Sequence, residues 1–276
     1  MAAEPEIIRN LADLRQRVAG WRRRGRSIGL VPTMGALHAG HMALVDRATA
    51  ADGRTLVSLF VNPKQFDRAD DLASYPRTWD DDIAKLAAAG VDAVWAPGGA
   101  EMYPPDFATS VRVAGLAKHL CGAARPGHFD GVSTVVAKLL LQALPDRAYF
   151  GEKDFQQLLI VRRTALDLNI PVEIVAVPTV REPDGLALSS RNALLTPDQR
   201  RAAPALHRVL TEVAAGMDVA RGSRALLAEG IDRVDYLEIR DAETLAVVTE
   251  PKRPARVFGA VFLGDIRLID NIAVTG

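Results

Sequence analysis

Runs of apolar residues alternate with amphipathic stretches along the first two thirds of the chain. Ser27 to Val31 is a short apolar run ended by Pro32; a glycine-rich turn follows, and then an amphipathic stretch from His41 to Ala51, which together read as strand, loop and helix. Thr55 to Val61 is continuously apolar, the pattern of a strand buried on both faces and paired in parallel. Thr78 stands where it would cap a helix over Trp79 to Ala89, with Asp80, Asp81 and Asp82 in its first turn and Gly90 at its close. Val91 to Trp95 resumes as strand. Asp130 is the expected cap of a helix from Gly131 to Ala143, followed by a strand at Arg147 to Phe150, a helix at Asp154 to Leu166 and a strand at Val172 to Val177. Such alternation predicts an α/β fold, a Rossmann-like doubly wound parallel sheet covered by helices.

The pattern changes after Val180. A loop from Arg181 to Leu195 leads to Thr196-Pro197-Asp198-Gln199, which offers a capping threonine, proline at the first helical position and glutamine at the third. A helix near Ser223 to Glu229 and strands at Val234 to Ile239, Val257 to Leu263 and Ile266 to Ile269 complete a small α+β domain. The expected boundary lies near residue 181, giving domains of residues 1–181 and 182–276.

Composition narrows the function classes. The chain has 276 residues, about half of them hydrophobic, enough for two modest cores. Lys plus Arg and Asp plus Glu number 34 each, so no global field draws the protein to nucleic acid or an anionic membrane, and any anion site must be local. A single cysteine, Cys121, excludes an intrachain disulfide. Met1 to Gly20 lacks the apolar run of a signal peptide, and runs such as Val135 to Leu144 fall short of a membrane span. A cytoplasmic enzyme is the expectation.

Five stretches carry candidate chemistry. Met34-Gly35-Ala36-Leu37-His38-Ala39-Gly40-His41 lies between the first strand and its helix, where unpaired N–H groups and a partial positive charge receive phosphates. Two imidazoles three residues apart can face one anion there; two surface histidines or a metal pair are the plainer readings, and no downstream Cys/His cluster supports zinc. Asn62 and Gln65 leave the next strand at the same sheet edge and offer neutral hydrogen bonds to a polar substrate, or merely a capped loop. Arg125 and His128 enter a helix from a loop that either meets an anion or is a solvated turn. Lys153, in Gly151-Glu152-Lys153-Asp154, stands at a helix start, a position that favours it only if an anion binds, and Gln157 follows one turn later. Leu188-Ser189-Ser190-Arg191-Asn192 combines hydroxyls and a guanidinium on a loop suited to cover a triphosphate, or is a polar linker.

In this order the five stretches resemble those of the pantothenate synthetases, ligases within the nucleotidyl-transferase superfamily marked by His-x-Gly-His. The resemblance runs from about Leu30 to Asn192, with further support from Arg267-Leu268-Ile269-Asp270-Asn271. It implies ATP-dependent condensation of pantoate with β-alanine through a pantoyl adenylate, by a homodimer that uses Mg²⁺. Carried onto this chain, it assigns His38, His41 and Lys153 to the ATP phosphates, and Ser189, Ser190 and Arg191 to a loop closing over them. It gives Gln65 and Gln157 to pantoate and lines that pocket with Met34. Gly151, Asp154, Val180 and Leu188 fall with the nucleotide, Asn62, Arg125 and His128 in the cleft, and the second domain closes over the site. Leu188 departs from a more usual methionine, a swap that conserves volume. Asp81 and Asp82 are the metal candidates, although a negatively charged helix start explains them equally well. The competing readings are a cytidylyltransferase-like enzyme that keeps the nucleotide in its product, and a non-catalytic nucleotide- or RNA-binding module.

Overall fold

The computed structural model describes residues 4–67, 69–248 and 254–274. The chain divides into two compact units, Met1–Glu152 with Gln157–Val177, and Lys153–Gln156 with Pro178–Gly276.

In chain order the first unit contains β1 (Glu6–Ile8), α1 (Leu11–Arg23), β2 (Ile28–Thr33), α2 (Ala39–Ala51), β3 (Arg54–Leu59), α3 (Ala69–Ala73), α4 (Trp79–Ala88), β4 (Ala93–Trp95), α5 (Gly99–Met102), α6 (Leu120–Ala124), α7 (His128–Ala143), β5 (Arg147–Gly151), α8 (Phe155–Asp167, whose first two residues belong to the second unit) and β6 (Glu173–Val177). The strands form one sheet in the order β1-β4-β3-β2-β5-β6 with every pairing parallel. From β2 the chain builds outward through β3 and β4 on one side and through β5 and β6 on the other. The order therefore reverses between β2 and β5, the place where open α/β sheets bind ligands outside the carboxyl ends of their strands. The continuous apolar runs predicted as parallel strands are buried as expected: Val31, Val57 and Val94 meet Leu44, Val45 and Ala48 of α2 in one core.

Below this core, the side chain of Asp52 is fully buried and accepts hydrogen bonds from Arg147 Nη1 at 2.7 Å and Tyr149 Oη at 2.5 Å. Burial and the adjoining Asp52 carboxylate push the Tyr149 phenol well above its ordinary range. Gly29 leaves room for this cluster, since a Cβ there would lie 2.5 Å from Asp52 Oδ2.

Two predicted caps differ. α7 begins at His128, not Gly131, because Gly127 turns the chain at φ +84° and sets helical geometry earlier; the Asp130 carbonyl instead accepts the Thr134 hydroxyl at 2.6 Å. Thr78 precedes α4 but makes no side-chain capping bond. β1 and α1 have no counterpart in the predicted pattern; β1 has only three residues and is defined by its pairing with β4.

The second unit holds α9 (Pro197–Ala202), α10 (Ala205–Ala214), α11 (Val219–Ala228) and an antiparallel sheet of β7 (Arg233–Asp241), β8 (Ala255–Leu263) and β9 (Ile266–Val274). Thr196 and Gln199 form the reciprocal capping box that their spacing predicts. Leu206, Val209, Leu210 and Val213 of α10 and Leu226 of α11 pack on Val257 and Val261 of β8. Lys153–Gln156 joins this unit through Asn271 Nδ2, which donates to the Lys153 carbonyl at 3.0 Å, and through Phe155, which lies 4.1 Å beneath the Arg256 guanidinium. No helix among the described residues is long and apolar enough to cross a membrane.

Candidate active site

The turn between β2 and α2 is built by main-chain conformation first. Gly35 at φ +85° and Ala36 at φ +53° are successive left-handed residues, so their stretch of chain turns its N–H groups to one side. Those of Ala36 and Leu37 meet the buried carboxylate of Asp82 at 2.9 and 2.8 Å. His38 then caps α2, with its Nδ1 accepting from Gly40 N at 3.1 Å, while His41 Nδ1 accepts from His38 N at 3.4 Å. A ring nitrogen that accepts carries no hydrogen, so both neutral rings hold theirs on Nε2, an assignment read from the hydrogen-bond network. The rings stack with centroids 4.0 Å apart. The sequence motif is thus one object: two stacked imidazoles anchored to the first turn of a helix at the switch point of the sheet.

A second network forms beyond β3. Asn62 is buried; its Oδ1 accepts from Lys64 N and Tyr103 Oη, and its Nδ2 donates to Gln65 Oε1 at 2.9 Å and to the Gly131 carbonyl at 3.1 Å. The bonds to both ends of the Asn62 amide fix its orientation. That of Gln65 follows, with its oxygen turned toward Asn62 and its amino group without a partner among the described residues. The main-chain carbonyl of Gln65 accepts from His128 Nδ1 at 2.8 Å and Arg125 Nη2 at 3.1 Å, and Arg125 Nε also pairs with Asp67 at 2.8 Å. Asn62, Arg125 and His128 therefore hold the loop that presents Gln65.

Gly131 permits α7 to approach this loop. A Cβ on it would lie 2.2 Å from the Lys64 carbonyl oxygen, which cannot move without breaking the 3-10 turn Pro63–Gln65. Gly131→Ala is expected to destabilise the first unit by about 2 kcal/mol, within the usual range for overpacking, as read by urea denaturation; an unchanged midpoint would refute the close approach.

At the end of β5, Gly151 leads through Lys153 and Asp154 into α8, where Gln157 is half-buried. In the second unit the chain from Pro178 doubles back through a bridge between Arg181 and Ala187, and Leu188 N bonds the Val180 carbonyl at 3.0 Å. Ser189 caps the 3-10 segment Ser190–Leu194 by accepting from Arg191 N, and Asn192 Nδ2 holds the Ala187 carbonyl at 3.1 Å. Ser189, Ser190 and Arg191 thus occupy one turn, with Arg191 exposed.

Two residues outside the predicted site set hold Arg181 and Lys153. Asp270, buried on β9, grips Arg181 in two bonds of 2.6 and 3.0 Å, and its neighbour Asn271 holds Lys153. His207 lies 3.8 Å from Asp270; burial and the Arg181 charge lower its pKa against the pull of Asp270. The spacing of Arg267 to Asn271 gave no sign of this, because its partners lie far away in sequence.

Asp81 and Asp82 do not fit a shared metal site. Both oxygens of Asp82 accept main-chain N–H groups, whereas Asp81 pairs with Lys85 at 2.6 Å. Among the described residues no group of three or more His, Cys, Asp or Glu side chains could hold a metal ion.

The family model described as pantoate-beta-alanine ligase matches residues 6–273. The chain belongs to the pantoate–β-alanine ligase family. Within it, the chain is 55% identical to the pantothenate synthetase of Chelativorans sp. strain BNC1 over 276 residues, 97% of each chain. It is 53% identical to that of Paramagnetospirillum magneticum, covering 99% of both. Among solved structures of pantoate–β-alanine ligases, pantothenate synthetase from Thermus thermophilus superposes with a TM-score of 0.90 at 48% identity, over 98% of this chain and 100% of that one. The ligase from Francisella tularensis, crystallised with β-γ ATP and β-alanine, superposes with a TM-score of 0.86 at 33% identity, over 99% of each chain.

Proposed function

We propose that this enzyme condenses pantoate with β-alanine at the expense of ATP, through a pantoyl adenylate. The observation that carries the reading is the stacked pair His38 and His41, anchored by their Nδ1 atoms at the start of α2 beside the switch point. Family membership gives that pair its substrates.

A pantoate carboxylate oxygen attacks the α-phosphorus of ATP, and the bond to the β-phosphate bridging oxygen breaks to release pyrophosphate. The free amine of β-alanine then attacks the acyl carbonyl, AMP leaves with the bridging oxygen, and the nitrogen loses a proton. In the first step the protein supplies position and charge compensation and needs no covalent bond of its own. The Nε2–H groups of His38 and His41 donate to phosphoryl oxygens, and Lys153 adds a full positive charge. Ser189, Ser190 and Arg191 bind the triphosphate, and Gly151, Asp154, Val180 and Leu188 receive the nucleoside. Gln65 and Gln157 hold pantoate beside Met34. Gln65 is suited to this, since its amino group is a donor with no competing acceptor among the described residues. Asn62, Arg125 and His128 act indirectly, by fixing the Gln65 loop. Mg²⁺ is expected with the nucleotide, with no role for Asp81 or Asp82 as its ligands. The assembly is a homodimer, which light scattering would report as twice the chain mass.

AMP should accumulate together with pantothenate only when Mg-ATP, pantoate and β-alanine are all present. Trapping of the nucleotide in a larger product would instead support the cytidylyltransferase-like reading, and folded, ATP-binding protein that makes no AMP would refute the ligase.

A further inference from the structure

Asp82 stands in the first turn of α4, yet its carboxylate is given entirely to another part of the chain. Its two oxygens accept the N–H groups of Ala36 and Leu37 at 2.9 and 2.8 Å, and it is 2% exposed. Successive main-chain N–H groups that converge at a turn form a concavity that commonly receives an anion. Here the anion is internal. Ala36 has no glycine-like freedom, and its φ of +53° persists because both following contacts hold it. Lys85, one turn further along α4, donates Nζ to the Leu37 carbonyl at 2.7 Å, so donor and acceptor of the same residue are both tied to this helix. The next residue is His38, whose main-chain N–H holds the His41 ring and whose own ring caps α2.

We infer that Asp82 is a positioning residue for the phosphate-directed histidines: it locks the turn at residues 35–37 and thereby sets the direction of both rings. The carboxylate acts through hydrogen bonds to the main chain and does not touch the substrate. The kinetic part of this inference rests on the adenylation reading; the ring geometry does not.

Asp82→Asn keeps the volume but turns an amino group toward one of the two N–H donors. Pyrophosphate release should fall about 100-fold in kcat, the scale of a misplacement near 1 Å, while KM for ATP changes less than about threefold. In a His38→Ala background the same substitution should cost several-fold less than in the wild type, because one of the two groups it positions is gone. Nitrogen-15 spectra should show shifted His38 and His41 ring resonances in Asp82→Asn without any substrate. Lys85→Met, at a partly exposed position that leaves the fold safe, should lower kcat about tenfold in the same direction.

Normal kcat in folded Asp82→Asn, or an undiminished loss in the His38→Ala background, would overturn the inference. Should Asp82→Asn not fold, unchanged kcat in Lys85→Met would do so. If the wild-type protein forms no AMP, ring resonances identical in wild type and Asp82→Asn would still refute the positioning role, so the two failures are distinguishable.

Discussion

His38→Ala should lower pyrophosphate release from ATP and pantoate by about 100- to 1000-fold, the usual loss when one preorganised donor to developing charge is removed. The substitution deletes the Nε2–H donor and also the ring that accepts from Gly40 N at the head of α2. Losing that cap costs about 1 kcal/mol of stability, which a folded enzyme survives, so the rate and the unfolding midpoint separate the two contributions. His41 would lose its stacking partner at 4.0 Å, and part of the loss would arise there. A stopped assay for pyrophosphate, with the unfolding curve measured on the same preparation, decides the matter. Near-normal release from folded His38→Ala protein would remove the histidines from the chemistry.

Asp270→Ala should be the most damaging substitution to stability in the second unit, by about 3 kcal/mol, the lower end for breaking a buried ion pair by removing one partner. The lower end applies because Arg181 retains some exposure and regains part of its hydration. Asp270 also accepts from the Asn271 main chain at 2.8 Å, so its loss loosens the residue that holds the Lys153 carbonyl. Denaturant titration of Asp270→Ala beside Asp270→Asn would measure the effect, with the asparagine expected to recover part of it. A loss below about 1 kcal/mol would mean that the pair behaves as a surface contact.

The parts of the molecule written in contiguous residues were legible before the structure. The continuous apolar run at 55–61 and the strand expected at 172–177 became parallel strands, and Thr196 to Gln199 became the expected capping box. His-x-Gly-His announced a helix start and two imidazoles because one short stretch of chain holds all of it. What stayed hidden depends on pairs distant in the chain. Asp82 acts on amides 45 and 46 residues earlier, Asp270 on an arginine 89 residues earlier, and Asn271 on a carbonyl 118 residues earlier. In the sequence Asp82 is one of three aspartates at a helix start, which led to a metal reading; its burial and its two acceptor bonds give it a different task. The resemblance places Asn62, Arg125 and His128 in the cleft, and what the sequence did not show is that their bonds hold the loop that carries Gln65.

The Asn62 network also gives the Gln65 amide a single polarity. Rotating that side chain by half a turn would bring its amino group against Asn62 Nδ2, donor facing donor, and would forfeit the 2.9 Å bond. Whatever approaches from the other side must therefore bring a lone pair. An acid with a hydroxyl or carboxylate oxygen meets that requirement, whereas an analogue carrying an ammonium group at the same point meets a like-ended dipole. On the pantoate role proposed for Gln65, discrimination against amino acids with the pantoate outline is thus set through the Asn62 amide that orients it.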